Sequence, residues 1–190
     1  MNTLAEQLNL AQQQRIHKFN DAHFEWLIQF ESQFTHAITL TFNEHRIAQF
    51  NKRIKSLKVF EGQSLIELQR KSLTCFRRKL NKSLFGAVAQ RYENKLLLIP
   101  MSHGLYTGGR LHYHCVIGIP EDRFGAIDMK VRAAWKAAPL SGHHIDIKPY
   151  RSSEWLGYMN RETKYINREC IDWSNVCVPS VPGQFPTTAE

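Results

Sequence analysis

Residues 111–120 read Leu111-His112-Tyr113-His114-Cys115-Val116-Ile117-Gly118-Ile119-Pro120. The run is apolar and rich in β-formers apart from two histidines, and it stops at a proline, so it predicts a β-strand. Side chains two apart on a strand point to one face. His112 and His114 therefore share a face, and Tyr113, Cys115 and Ile117 share the other. Two neighbouring imidazoles on a strand are a natural pair of metal ligands. They are also compatible with a plain half-exposed strand, and the stretch alone leaves both readings open.

Working outward, Gly108-Gly109 precedes this strand and Lys95-Leu96-Leu97-Leu98-Ile99-Pro100-Met101 precedes the loop, which predicts a hairpin. Residues 36–42, His-Ala-Ile-Thr-Leu-Thr-Phe, predict an earlier strand ended by Asn43 and the charges after it; its buried face is left open, because Ala37, Leu40 and Phe42 differ in parity. Residues 64–84 carry Leu65, Leu68, Leu73, Phe76, Leu80 and Leu84 at helical spacing, with Ser64 and Glu67 as a capping-box pattern. A second helix is expected over 122–138, stopped by Pro139 and Gly142, and a strand over 143–149. A last helix, capped by Ser152 or Ser153, carries Trp155, Tyr158 and Met159 and runs toward Ile166.

The order is strand, helix, strand, strand, helix, strand, helix. It predicts an α+β fold of the ferredoxin-like split β-α-β-β-α-β kind: an antiparallel sheet with helices on one face and the last helix crossing near the open face. Leu4, Leu8, Ile16, Phe19, Trp26, Leu27, Phe30 and Phe34 predict an N-terminal helical extension over 1–34. The domain proper is expected over 35–175, followed by a proline-containing tail over 176–190 with Pro179, Pro182 and Pro186.

The 190 residues suffice for one domain with a real core. The net charge of +8 and pI of about 9.5 favour a polyanionic partner, nucleic acid being the commonest. Arg46, Lys52, Arg53, Arg77, Arg78 and Lys79 are candidates for phosphate contacts, or simply a solvated basic surface. Cys75, Cys115, Cys170 and Cys177 form no CxxC pair, which argues against a structural zinc site and for reduced thiols in a cytoplasmic protein. The polar start, Met-Asn-Thr-Leu-Ala-Glu-Gln, lacks a signal-peptide core, and no apolar run suits a membrane helix.

Tyr158 and Arg161 stand three apart, on one face of a helix. A tyrosine hydroxyl beside a metal, with a cation one turn away, suits phosphoryl transfer. A tyrosine packed in the core with its hydroxyl bonded is the alternative.

Together these segments resemble the HUH endonuclease superfamily, in particular rolling-circle replication initiators. The resemblance spans roughly residues 35–168. It rests on three ordered motifs: the strand His36–Asn43, His112-Tyr113-His114 in its strand, and a tyrosine-x-x-lysine pattern at Tyr158-Met159-Asn160-Arg161, with Glu162 after it. It implies His112 and His114 as ligands of Mg²⁺ or Mn²⁺, and Tyr158 as the nucleophile on single-stranded DNA, leaving a 5′-phosphotyrosine and a free 3′-hydroxyl. Arg161 stands where the family has lysine. It keeps the charge but, unlike lysine, stays protonated. Relatives often place a glutamate ligand on the adjacent strand. This chain has no carboxylate there, so His103 is the first candidate for a third ligand and His144 another, ahead of His36 and His45. Tyr165 is either a second tyrosine or a core residue, and Lys164 is a nearby cation that points elsewhere. No Walker A pattern is present, so the resemblance implies a single strand or origin hairpin as substrate and a host helicase as partner. A non-catalytic nucleic-acid-binding module on the same fold is the competing reading.

Overall fold

The computed structural model describes residues 21–56, 61–86, 96–105, 107–166 and 170–179, and their side chains except those of 54–56, 61–64 and 164–166. Residues 1–20 of the expected N-terminal helical extension, Pro182 and Pro186 of the tail, and the side chains of Lys164 and Tyr165 lie outside these residues. Four strands, β1 (His36–Phe42), β2 (Leu97–His103), β3 (His112–Gly118) and β4 (Ser141–Pro149), form one sheet in the order β2-β3-β1-β4. Each neighbouring pair is antiparallel. Among the described residues the helices are α1 (21–28), α2 (Glu44–Ser56), α3 (Glu61–Phe85), α4 (Ile127–Lys136), α5 (Glu154–Met159) and α6 (Arg161–Ile166). This is the expected α+β split arrangement with an antiparallel sheet.

Residue parity sorts the sheet into two faces. Ile38, Leu40, Phe42, Leu98, Tyr113, Cys115 and Ile117 face α3 and α4, packing on Leu73, Phe76, Leu80, Val131 and Trp135. All of these are buried, and each such side chain contributes roughly 1.5–3 kcal/mol by leaving water. Trp135 satisfies its indole by donating from Nε1 to the Thr41 carbonyl at 3.1 Å. The face left open for β1 thus resolves: Ile38, Leu40 and Phe42 point to the helices, while Ala37, Thr39 and Thr41 point the other way with the histidines.

That second face is not bare. Leu97, Ile99, Met101 and Val116 form a smaller core with Leu27, Phe34, Leu156, Met159 and Ile171. The segment before β1 therefore packs on the sheet, and α5 lies over its β2–β3 half. Gly118 permits this approach, because a Cβ there would stand 2.3 Å from the Gln33 carbonyl oxygen. The chain over 170–177 runs along the outer edge of β2, through paired bonds between Leu98 and Cys177 and a bond from Asp172 N–H to the Pro100 carbonyl. Pro100 has no N–H to offer, so an edge position suits it.

Several boundaries differ from the sequence pattern. Helix α2 fills a stretch read only as the end of β1. Its start is set by Asn43, whose Oδ1 accepts from Arg46 N–H at 3.1 Å, an N-cap. Helix α3 begins at Glu61, one turn before the Ser64 pattern. The segment before α4 is a 3-10 turn over Glu121–Ala126 that includes Gly125. The last helix breaks in two at Asn160, and Ser153 occupies its N-cap position without a side-chain cap bond. No helix among the described residues is long and apolar enough to cross a membrane.

Candidate metal centre

The β2–β3 register sets His103 opposite His112 and Met101 opposite His114. His103, His112 and His114 thus converge on one face of the edge strand β2 and its neighbour β3. Each offers a ligand nitrogen, and the three nitrogens lie within 4.8 Å of one another. His103 and His114 are buried, at 3% and 4% exposure, while His112 is half-buried.

In each imidazole one nitrogen is held from outside the cluster, and the second nitrogens of His112 and His114 face each other. His103 donates from Nε2 to the Met159 carbonyl at 2.7 Å. His112 donates from Nδ1 to the Arg110 carbonyl at 2.7 Å. His114 Nδ1 shares a 3.0 Å bond with the Thr39 hydroxyl on the neighbouring strand. A carbonyl can only accept, so His103 Nδ1 and His112 Nε2 carry lone pairs. His112 Nε2 and His114 Nε2 stand 3.0 Å apart. Orienting bonds of this kind are what metal-bound histidines use to fix tautomer and ring direction.

The electrostatics keep the buried pair neutral. Desolvation lowers the His114 pKa to about 3, with the charges of His103, His112 and Arg161 adding to it. His103 falls to about 4, chiefly by desolvation, against an upward pull from Glu162. A neutral imidazole is the form that binds metal. The cluster could therefore hold a metal ion.

Glu162 completes the surroundings. Both its oxygens accept from the Gly104 N–H, at 3.0 and 3.1 Å, and one lies 3.6 Å from His103 Nδ1. Gly104 has φ +84°, and a Cβ on it would stand 2.3 Å from the Arg110 carbonyl oxygen, so glycine is needed at this turn. Glu162 follows the tyrosine motif in sequence, but its partner is a backbone N–H, so no side-chain pattern assigns it this role.

Tyr158 lies against the centre. Its ring meets His114 edge-on at 5.0 Å between centroids and leans on Trp155 at 5.4 Å. The guanidinium carbon of Arg161 stands 5.1 Å over the Tyr158 ring. Tyr158 is 42% exposed, so it is not the core tyrosine of the alternative reading. The structure thus brings His103, His112, His114, Tyr158 and Arg161 together. It places the other candidate histidines elsewhere: His144 is exposed on β4, His36 packs on Phe124, and His45 bonds Gln49 on α2. Arg77, Arg78 and Lys79 ride on α3, across the sheet from the cluster. Comparison of the chain with protein-family models, with curated proteins and with solved structures gives no match.

Proposed function

We propose that this protein is a metal-dependent nickase and ligase of single-stranded DNA that starts rolling-circle replication of a plasmid, phage or mobile element. The observation that carries the reading is the exposed Tyr158 ring packed on His114 of a three-histidine cluster. A phenol and a candidate cation site then adjoin, with Tyr158 exposed and His112 half-buried at the outer side of the cluster.

His103, His112 and His114 would hold the ion. Mg²⁺ favours oxygen ligands and an imidazole set is softer, so of the two ions in question Mn²⁺ is the better matched. A bound divalent ion supplies a Lewis acid for a phosphoryl oxygen. Tyr158 Oη attacks the phosphorus; the bond from phosphorus to the 3′ oxygen breaks. The phenol proton leaves Oη and the 3′ oxygen takes one up. The products are a phosphotyrosine on the 5′ side and a free 3′-hydroxyl, and attack by a second 3′-hydroxyl reverses the step and joins strands. Arg161 pairs with the phosphate through its planar fork.

The test is covalent capture. The protein is incubated with Mn²⁺ and single-stranded oligonucleotides from its own genomic neighbourhood and run on a denaturing gel. A DNA adduct on the wild type, absent from Tyr158→Phe and from His114→Ala, is the expected result. Binding without adduct across metals and sequences overturns the reading in favour of a non-catalytic module. Cleavage that survives Tyr158→Phe points instead to a water nucleophile.

A further inference from the structure

A groove of about 680 Å³ opens beside Tyr158, on the half of the histidine face that α5 leaves uncovered. Its lining includes Ala37, Lys148, Tyr150, Arg151, Trp155 and Tyr158. We infer that this groove binds one unpaired nucleotide of the single strand next to the scissile phosphate, with its base against Trp155 and Tyr150. The inference rests on the nickase reading for the phosphate's identity and extends it to a specific subsite.

Three features converge on a nucleotide. The walls are aromatic and held in place before any ligand arrives. Tyr150 is pinned at both ends, by a hydroxyl that donates to Glu31 Oε1 at 3.0 Å and by a ring packed on Phe34 at 5.4 Å. Trp155 packs on both Tyr158 and His114, at 5.4 and 5.3 Å. The base of the groove includes Ala37, which pairs with Lys148 on β4 and Val116 on β3. It is the smallest side chain that could point from that sheet position, so the space exists because residue 37 is alanine. The lining carries two exposed cations: Arg151, and Lys148 with its ammonium 2.7 Å from Asp146. Glu154 also lines the groove and disfavours phosphate near it, which leaves Arg151 as the first candidate to meet the backbone.

Aromatic walls beside the exposed Arg151 guanidinium match a base attached to a phosphate. An apolar peptide or lipid chain has no use for the cations, and a duplex cannot offer a base face to the walls. Tyr158 is itself part of the lining, so an occupant here would adjoin the reacting phosphate.

The probe is a single-stranded 12-mer carrying 5-iodouracil, bound without metal so that no cleavage occurs. Photocrosslinking of the wild type, mapped by mass spectrometry, is expected to label Trp155 or Tyr150. Ala37→Leu, which fills the groove from below, is expected to weaken binding about tenfold by fluorescence anisotropy and to remove those crosslinks, with Mn²⁺ affinity retained. Crosslinks confined to other surfaces overturn the inference. So does a folded Ala37→Leu whose affinity stays within twofold. The nickase reading is judged separately by the Tyr158 adduct: adduct without Trp155 or Tyr150 crosslinks removes the groove alone, and those crosslinks without adduct remove the nickase alone.

Discussion

His103 Nε2 lies 2.7 Å from the carbonyl oxygen of Met159, which fastens a buried strand histidine to the residue next to Tyr158. A second fastening follows one turn later, where Glu162 grips the Gly104 N–H at the end of β2. The break between α5 and α6 at Asn160 sits between the two. A continuous helix would carry its Met159 carbonyl into an intrahelical bond; ending α5 there leaves that carbonyl to accept from His103. The same interruption therefore orients a ligand imidazole and holds the tyrosine beside it.

Glu162→Ala removes the carboxylate 3.6 Å from His103 Nδ1 and leaves Gly104 N–H without its partner. Groups that orient or neutralise a metal site typically change affinity 10–100-fold. Isothermal titration with Mn²⁺ should show binding weakened by at least about tenfold, with the circular dichroism spectrum unchanged. Unaltered affinity would assign Glu162 to the turn alone.

Acid should weaken the metal-free protein through its histidines. His103 and His114 titrate near 4 and 3 when folded, against about 6.5 in an unfolded chain. Between those values the unfolded chain binds protons that the folded one refuses, so stability falls as pH drops from about 6.5 toward 3 and is fully present above 6.5. Thermal melts of wild type and of a His103→Gln/His114→Gln variant from pH 7 to 4 should separate this from carboxylate effects. The wild type loses more of its Tm, and an equal loss in both removes the explanation. Added Mn²⁺ should raise the wild-type Tm alone.

Much of the frame was legible because β-forming runs bounded by turn residues mark β1 and β3, and apolar spacing is strong in α3. His112 and His114 share a face by parity alone. His103 was reachable from sequence as the first candidate for a third ligand, but its alignment opposite His112 depends on the β2–β3 register, which apolar pattern does not set. Helix α2 was missed because few apolar residues mark it; its Asn43 cap was the readable signal. Glu162 stayed hidden for a different reason. Its partner is a backbone N–H at Gly104, fifty-eight residues away, and backbone groups leave no trace in side-chain spacing.

Gly104→Ala should damage the site and the fold together. Its φ of +84° is strained for alanine, and the new Cβ would collide with the Arg110 carbonyl at 2.3 Å. That carbonyl also holds His112 Nδ1. A cost of roughly 2–3 kcal/mol corresponds to a Tm lower by about 5–10 °C, measured by differential scanning calorimetry. Gly125→Ala is the control, since a Cβ there meets nothing within 4 Å, and its Tm should hold.

Tyr113 separates the sheet's two faces most sharply. It stands between His112 and His114 in sequence yet points to the opposite side, where its hydroxyl donates to Asp172 Oδ2 at 3.0 Å. Burial and the Asp172 carboxylate push its pKa well above the usual phenol value, so it stays a donor. Tyr113→Phe keeps the ring contact with Phe42 and leaves Asp172 accepting from Asn175 Nδ2 at 2.8 Å. Losing one buried bond with its acceptor still partnered costs about 1–2 kcal/mol. Urea unfolding should show that loss, while titration with Mn²⁺ shows none, because the backbone of β3 holds the histidines through its pairs to β1 and β2. A fall in Mn²⁺ affinity comparable to that of Glu162→Ala would mean instead that the edge segment around Asp172 acts through β3 on the histidine cluster.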